Sequence, residues 1–189
     1  ADTALRIARE GRFSFLEGVS LSSCMWAEHH LENPPYPTKI GSALEALKRT
    51  GSDVFFLWLI TCHIDVLLRE RRTDEAKAIT QQSISITERA GCKWFLPEFL
   101  RLDAICKVTG DNPDLANAEA TLLESIQLAE SQGARFWELR STVELARLWG
   151  ERGDRRKAYD FLFPVCNWFT EGFGTTDLKE AKTLLHQLQ

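Results

Sequence analysis

The sequence predicts an all-α fold built as a solenoid of helix-turn-helix units, and three features of it carry that expectation. Glycines that close helical patterns, Gly11, Gly51, Gly91, Gly133 and Gly172, recur roughly every 40 residues, a period that marks stacked helix pairs. Aromatic rings follow four of these glycines within a few residues, at Phe13, Phe55, Trp94 and Phe136, and each opens a further helical pattern. No segment sustains the period-two alternation and β-branched enrichment of a strand, so no sheet is expected.

Taken in order, helices are expected over 2–10, 13–31, 38–50, 53–71, 74–90, 94–109, 114–132, 135–152, 154–170 and 176–188. The recurrent glycines fit the left-handed C′ position that ends a helix, where a side chain bearing Cβ is strained. A second break splits each unit into two helices. These breaks are Asn33-Pro34-Pro35-Tyr36-Pro37, Arg71-Arg72-Thr73-Asp74, Gly110-Asp111-Asn112-Pro113 and Arg152-Gly153-Asp154, all of them turn or N-cap chemistry. Pro113 is expected in the first turn of the helix that follows. The units run approximately over 11–50, 51–90, 91–132 and 133–171, in a single repeat domain over 1–189. Residues 1–10 read as the end of a preceding repeat and 176–188 as a C-terminal capping helix. Because the chain opens directly on a helical pattern, it is expected to be cut from a longer one.

Composition narrows the function. Of 189 residues, 44% are apolar and 26% charged, and the formal charge is −4. That balance belongs to a globular protein, and it lacks the basic footprint of nucleic-acid or anionic-membrane binding. No apolar run is long enough to span a bilayer and no signal-peptide layout is present, so a cytoplasmic location is expected. Five cysteines, Cys24, Cys62, Cys92, Cys106 and Cys166, form no CxxC pair and are expected as reduced, mostly buried thiols.

The fourth unit reads Thr142-Val143-Glu144-Leu145-Ala146-Arg147-Leu148-Trp149, then Gly153-Asp154, Ala158 and Leu162. It resembles the tetratricopeptide (TPR) pattern, in which Leu145, Ala146 and Trp149 share a helix face and Ala158 lets the second helix approach closely. The resemblance implies a right-handed superhelix of about four helix pairs. The stretch from Pro164 to Lys182, with Pro97-Glu98-Phe99-Leu100-Arg101-Leu102 and Trp137-Glu138-Leu139-Arg140, resembles the C-terminal region of large proteobacterial signalling proteins. In that family, as the resemblance implies, a class III adenylate/guanylate cyclase or winged-helix domain precedes a P-loop ATPase, and TPR-like repeats follow.

Nothing in the sequence itself points to catalysis. Phosphate-binding glycine loops are missing, as are the metal carboxylates of a cyclase, and no cofactor or metal is expected. His29 and His30 are adjacent on a helix and point about 100° apart, so they share no ligand face, and the same angle excludes a Cys62-His63 dyad. His186 is expected exposed. Glu98 with Arg101 and Glu138 with Arg140 occupy equivalent places in two units. First helices of stacked pairs line the concave surface, which makes Arg101, Lys107, Arg140, Glu144 and Arg147 the candidate binding residues. Ion pairing within the stack is the competing account of the same residues. Trp26, Trp58, Trp94, Trp137, Trp149 and Trp168 are expected as packing anchors. The basic cluster Arg152, Arg155, Arg156 and Lys157 fits either a solvated turn or an acidic partner. The expected function is a protein–protein interaction and regulatory module, whose partner is a protein or peptide segment, the ATPase and output domains of its own parent included. The alternative is an effector sensor holding a small molecule inside the superhelix, with Trp58, Trp94, Phe136 and Trp137 in its lining.

Overall fold

The computed structural model describes residues 2–13, 16, 17, 19, 20, 53–90 and 93–189. Every regular element among them is helical. The helices expected over 13–31 and 38–50 lie outside the described residues except at 13, 16, 17, 19 and 20, as do His29, His30, Trp26, Cys24, Cys92, Gly51 and Gly91. The chain divides into two compact units, Ala1–Arg72 and Thr73–Gln189.

In the first unit, α1 spans Asp2–Glu10 and α2 spans Asp53–Arg69. The apolar run of α2 buries Leu57, Leu59, Ile60, Ile64, Val66 and Leu67. His63 is half-buried on the same helix. Glycine at position 11 answers a different need from the expected one. Arg12, at φ 54°, takes the left-handed turn, and a Cβ on Gly11 would sit 2.3 Å from the Phe13 ring. Phe13 is 55% exposed and its ring can turn aside, so the glycine there is a convenience of packing and not of the dihedral angle.

The second unit contains α3 (Thr73–Ala90), a short 3-10 turn (Lys93–Phe95), α4 (Leu96–Thr109), α5 (Leu115–Ser131), α6 (Arg135–Glu151), α7 (Arg155–Asn167) and α8 (Thr176–Leu188). Each helix packs on the next, and α4 also touches α6 while α6 touches α8. Gly133 at φ 65° and Gly172 at φ 74° adopt the expected left-handed conformation. After α5, Gly133 N–H donates to Glu130 O and Ala134 N–H to Ala129 O, so the last carbonyls of the helix find partners across the turn.

Two boundaries differ from expectation for local reasons. Pro113 precedes the helix instead of entering it. Asp114 is the cap, accepting from the Asn117 backbone N–H at 3.2 Å, and its carboxyl is held below the usual range by the Asn117 side chain and backbone. Helix α7 ends at Asn167 and not 170. Pro164 lies in its last turn, where it gives no N–H to the Asp160 carbonyl.

The core of the second unit is continuous from α4 to α8. Leu145, Ala146 and Trp149 on α6 are 0%, 0% and 4% exposed, and Ala158 on α7 is fully buried, as the face pattern requires. Close approach is met by small hydroxyl residues elsewhere. Ser125 on α5 donates to Pro97 O at 2.7 Å and lies 2.7 Å from Ser141 Oγ on α6. With its one hydrogen committed to Pro97, Ser125 accepts from Ser141. Cys106 and Cys166 are buried and free. Burial, reinforced by the Asp103 carboxylate, pushes the Cys106 thiol up to about 11, so it is an inert core group.

Candidate functional site

Charged side chains of α4, α6 and α8 meet where these three helices touch. Glu98 and Arg101 are three residues apart on α4, which places them on one face. Arg101 grips Glu98 bidentately, Nε donating to Oε2 at 3.0 Å and Nη2 to Oε1 at 2.8 Å. Arg140 Nη1 of α6 lies 2.9 Å from the same Oε1, so one carboxylate ties the two helices together. Arg101 Nη1 reaches Glu144 Oε1 at 3.5 Å, and Arg147 Nη1 reaches that oxygen at 3.1 Å. Two contacts carry the chain on to α8, Arg140 Nε to Asp177 Oδ1 at 3.4 Å and Arg147 Nη2 to Glu180 Oε2 at 3.0 Å.

The result is an alternating run, Asp177–Arg140–Glu98–Arg101–Glu144–Arg147–Glu180, in which every guanidinium lies between two carboxylates. Its centre is dry, with Glu98 and Arg101 1% and 4% exposed. Its rim is open, the Arg147 and Glu180 side chains being 40% and 52% exposed. Charges buried this deeply persist only when paired. The centre therefore fixes α4 against α6, and the rim is the part open to solvent.

Four of the five candidate binding residues, Arg101, Arg140, Glu144 and Arg147, come together in this run. Lys107 does not. Six positions beyond Arg101, it is rotated about 240° around the helix, and its Nζ bridges Asp103 Oδ2 and Thr121 Oγ1 of α5, both at 2.7 Å. The expected equivalence of Glu98/Arg101 with Glu138/Arg140 also fails. A spacing of two sets side chains about 200° apart, so Glu138 pairs with Arg135 at 2.6 Å while Arg140 turns to Glu98. Asp177 and Glu180 were not among the candidates. Their signal in the sequence is an acidic pair at i, i+3 in the opening of the capping helix.

A second polar cluster forms around Glu119 of α5. Trp149 Nε1 donates to its Oε1 at 2.8 Å and Arg152 Nη1 to its Oε2 at 2.6 Å. Lys157 Nζ stands 3.7 Å from Oε1 and 3.6 Å from the centre of the Trp149 ring. Arg155 donates to the Gln187 carbonyl, and exposed Arg156 faces Asp160 at 3.6 Å. The basic cluster is thus engaged by its own chain.

The Trp149 hydrogen bond holds the Glu119 carboxyl below its ordinary value of 4.5, Arg152 and Lys157 adding to this while burial opposes it. A depressed carboxyl contributes stability that is fully present above the unfolded-state value and lost as pH falls through the folded one. Glu119→Gln is expected to be less stable than the native protein near neutrality, and the gap should close as pH falls below 4.5. Urea midpoints of both proteins across that range check this, and a pH-independent gap would sink it.

The tryptophans divide. Trp149 is a core anchor and Trp58 and Trp137 are half-buried, but Trp94 and Trp168 are 45% and 56% exposed and are not anchors. Phe136 is 45% exposed as well, and His186 is exposed. Among the described residues no three His, Cys, Asp or Glu side chains gather to hold a metal, and no helix is long and apolar enough to cross a membrane. No protein-family model matches the chain, and no curated protein matches it.

Proposed function

We propose that the chain is a TPR-like repeat domain, a right-handed superhelix of about four helix pairs capped by Thr176–Leu188, that binds a protein segment and catalyses nothing itself. Binding along the α4–α6–α8 face would regulate the signalling protein to which the domain belongs, its partner being a separate protein or the ATPase and output domains that the family resemblance implies. The observation that carries this reading is the packing of α4 on α6 and α6 on α8 in addition to each helix on the next. In stacked helix pairs the first helices line the concave surface in that manner. The open rim at Arg147 and Glu180 supports it further, because polar groups at an interface rim set partner choice and on-rate.

The test is capture from host lysate by the native chain beside an Arg147→Glu/Glu180→Lys variant. The exchange keeps the pair between positions 147 and 180 while reversing the field a partner meets, and it costs Glu144 its 3.1 Å contact with Arg147, leaving Arg101 at 3.5 Å. The expected result is a stoichiometric protein held by the native chain and lost from the variant, with both captures made well below the variant's own melting temperature. Equal capture by both, or none by either, would overturn the reading.

A further inference from the structure

Helix α8 is fastened to its unit by contacts that can be remade without loss. Its apolar stripe, Leu178, Ala181, Leu184 and Leu188, is buried against α6 and α7. Its far end sits so close to α6 that a Cβ on Gly150 would lie 2.9 Å from Leu188 Cδ2. Its acidic pair meets α6 at the surface, Asp177 on Arg140 at 3.4 Å and Glu180 on Arg147 at 3.0 Å. Both guanidinium groups hold a second carboxylate, Glu98 at 2.9 Å and Glu144 at 3.1 Å. Departure of α8 therefore strands no buried cation, and the two pairs it gives up are of the exposed kind that salt screens.

The connection from α7 has two anchored ends and a bare middle. On the α7 side Phe169 is buried and meets Phe136 edge-on at 5.2 Å. On the α8 side Thr175 donates twice to the Gly172 carbonyl, from its N–H at 2.9 Å and its hydroxyl at 2.8 Å, and Lys182 Nζ stands 4.0 Å from the centre of the Phe173 ring. That turn moves with the helix. In between, Thr170, Glu171 and Gly172 are exposed, and among the described residues none of their backbone N–H groups donates to a backbone carbonyl. The reversal of the chain rests on Gly172 at φ 74°, an angle that glycine leaves for an extended one at no steric cost. Trp168 and Phe173 flank this stretch at 56% and 46% exposure.

We propose that two copies of this chain exchange α8, each helix seating in the groove that α6 and α7 of the other copy present. The fit of that occupant is given by the structure itself. An exchanged α8 remakes every apolar contact and both ion pairs with identical residues, and the hinge alone changes conformation. A short hinge favours the exchange, because it must either double back sharply or run on into a neighbour. Straightened hinges of the two copies run side by side about the two-fold axis and cover Trp168 and Phe173, rings that the closed chain leaves in water. The rim then takes Asp177 and Glu180 from one copy and Arg140 and Arg147 from the other. The exchange does not rest on capture of a separate partner, because the same side chains meet at the rim in either form.

Gly150→Cys/Leu188→Cys reports which copy supplies α8, since these positions touch across the seated helix. The mass of the full chain is measured by sedimentation up to its highest soluble concentration. The cysteine variant is then oxidised with glutathione disulfide and run on denaturing gels without reductant, beside the native chain as the control for its own thiols. The expected result is a dimer in solution whose introduced cysteines join two chains, a link that reductant reverses and the native control lacks. Gly172→Val, whose β-branched side chain resists the left-handed angle of the closed hinge, is expected to raise the dimerisation constant about tenfold or more, both hinges being relieved at once. Gly172→Asn tolerates that angle and should stay near the native value. Three results would overturn the proposal: a native chain and a Gly172→Val variant that are monomeric at every concentration, a dimer whose introduced cysteines fail to join two chains, or a dimer fraction that Gly172→Val leaves unchanged or lowers. If Gly172→Val does not fold, the mass of the native chain and the cysteine pair decide the matter alone.

Discussion

Glu98→Ala is expected to cost about 3 to 5 kcal/mol of stability, the range for removing one partner from a buried ion pair. The loss would take the bidentate carboxylate from the buried Arg101 guanidinium, whose contact with Glu144 is longer at 3.5 Å. Arg140 would keep Asp177 at 3.4 Å and is better placed to reach water. Against a typical stability of about 5 to 15 kcal/mol, such a change approaches unfolding. Glu98→Leu/Arg101→Met removes both central charges together and replaces them with apolar groups of comparable reach, so it is expected to recover most of the loss. Urea unfolding of the three proteins separates the cases. A Glu98→Ala cost below about 1 kcal/mol, the range of a surface pair, would mean that the pair is no more than a solvated one.

The helices were legible because each depends on short-range chemistry. The glycine punctuation gave Gly133 and Gly172 their left-handed turns, and the face containing Leu145, Ala146 and Trp149 is buried as its spacing requires. Errors arose where one residue type has two uses. Gly11 lies beside the turn and leaves the left-handed angle to Arg12. Pro113 suits a helix start, but Asp114 beside it is the better cap because its carboxylate can accept from Asn117.

The candidate site was legible in its residue types and not in its pairing. Arg101, Arg140, Glu144 and Arg147 could be placed on first helices from the repeat alone. That Glu98 would serve both Arg101 and Arg140, and that Lys107 would point to α5, follows from the rotation of each helix about its axis. That rotation is fixed by packing between helices far apart in sequence. The exposed rings teach the same lesson. Trp94, Phe136 and Trp168 look like anchors because aromatic residues bury large areas, yet Phe95 and Phe169 beside them take the buried places.

Trp149→Ala is expected to cost about 3 to 5 kcal/mol, as truncation of a large core aromatic does. The ring is 4% exposed, meets Phe161 edge-on at 5.2 Å and carries Lys157 on its face at 3.6 Å. Its indole N–H is also a donor to Glu119. Trp149→Phe keeps a ring in the core but removes that donor, so its cost should be a smaller one, about 1 to 3 kcal/mol for a hydrogen bond to a charged group together with a partly filled space. Introducing Trp149→Phe into Glu119→Gln isolates the polar part. If the indole acts through the carboxylate, the two substitutions together will cost less than their sum, because the second removes a contact the first has already weakened. Strict additivity of the urea-derived stabilities would show instead that Trp149 matters by its volume alone, and that Arg152 and Lys157 are what hold Glu119 against the turn between α6 and α7.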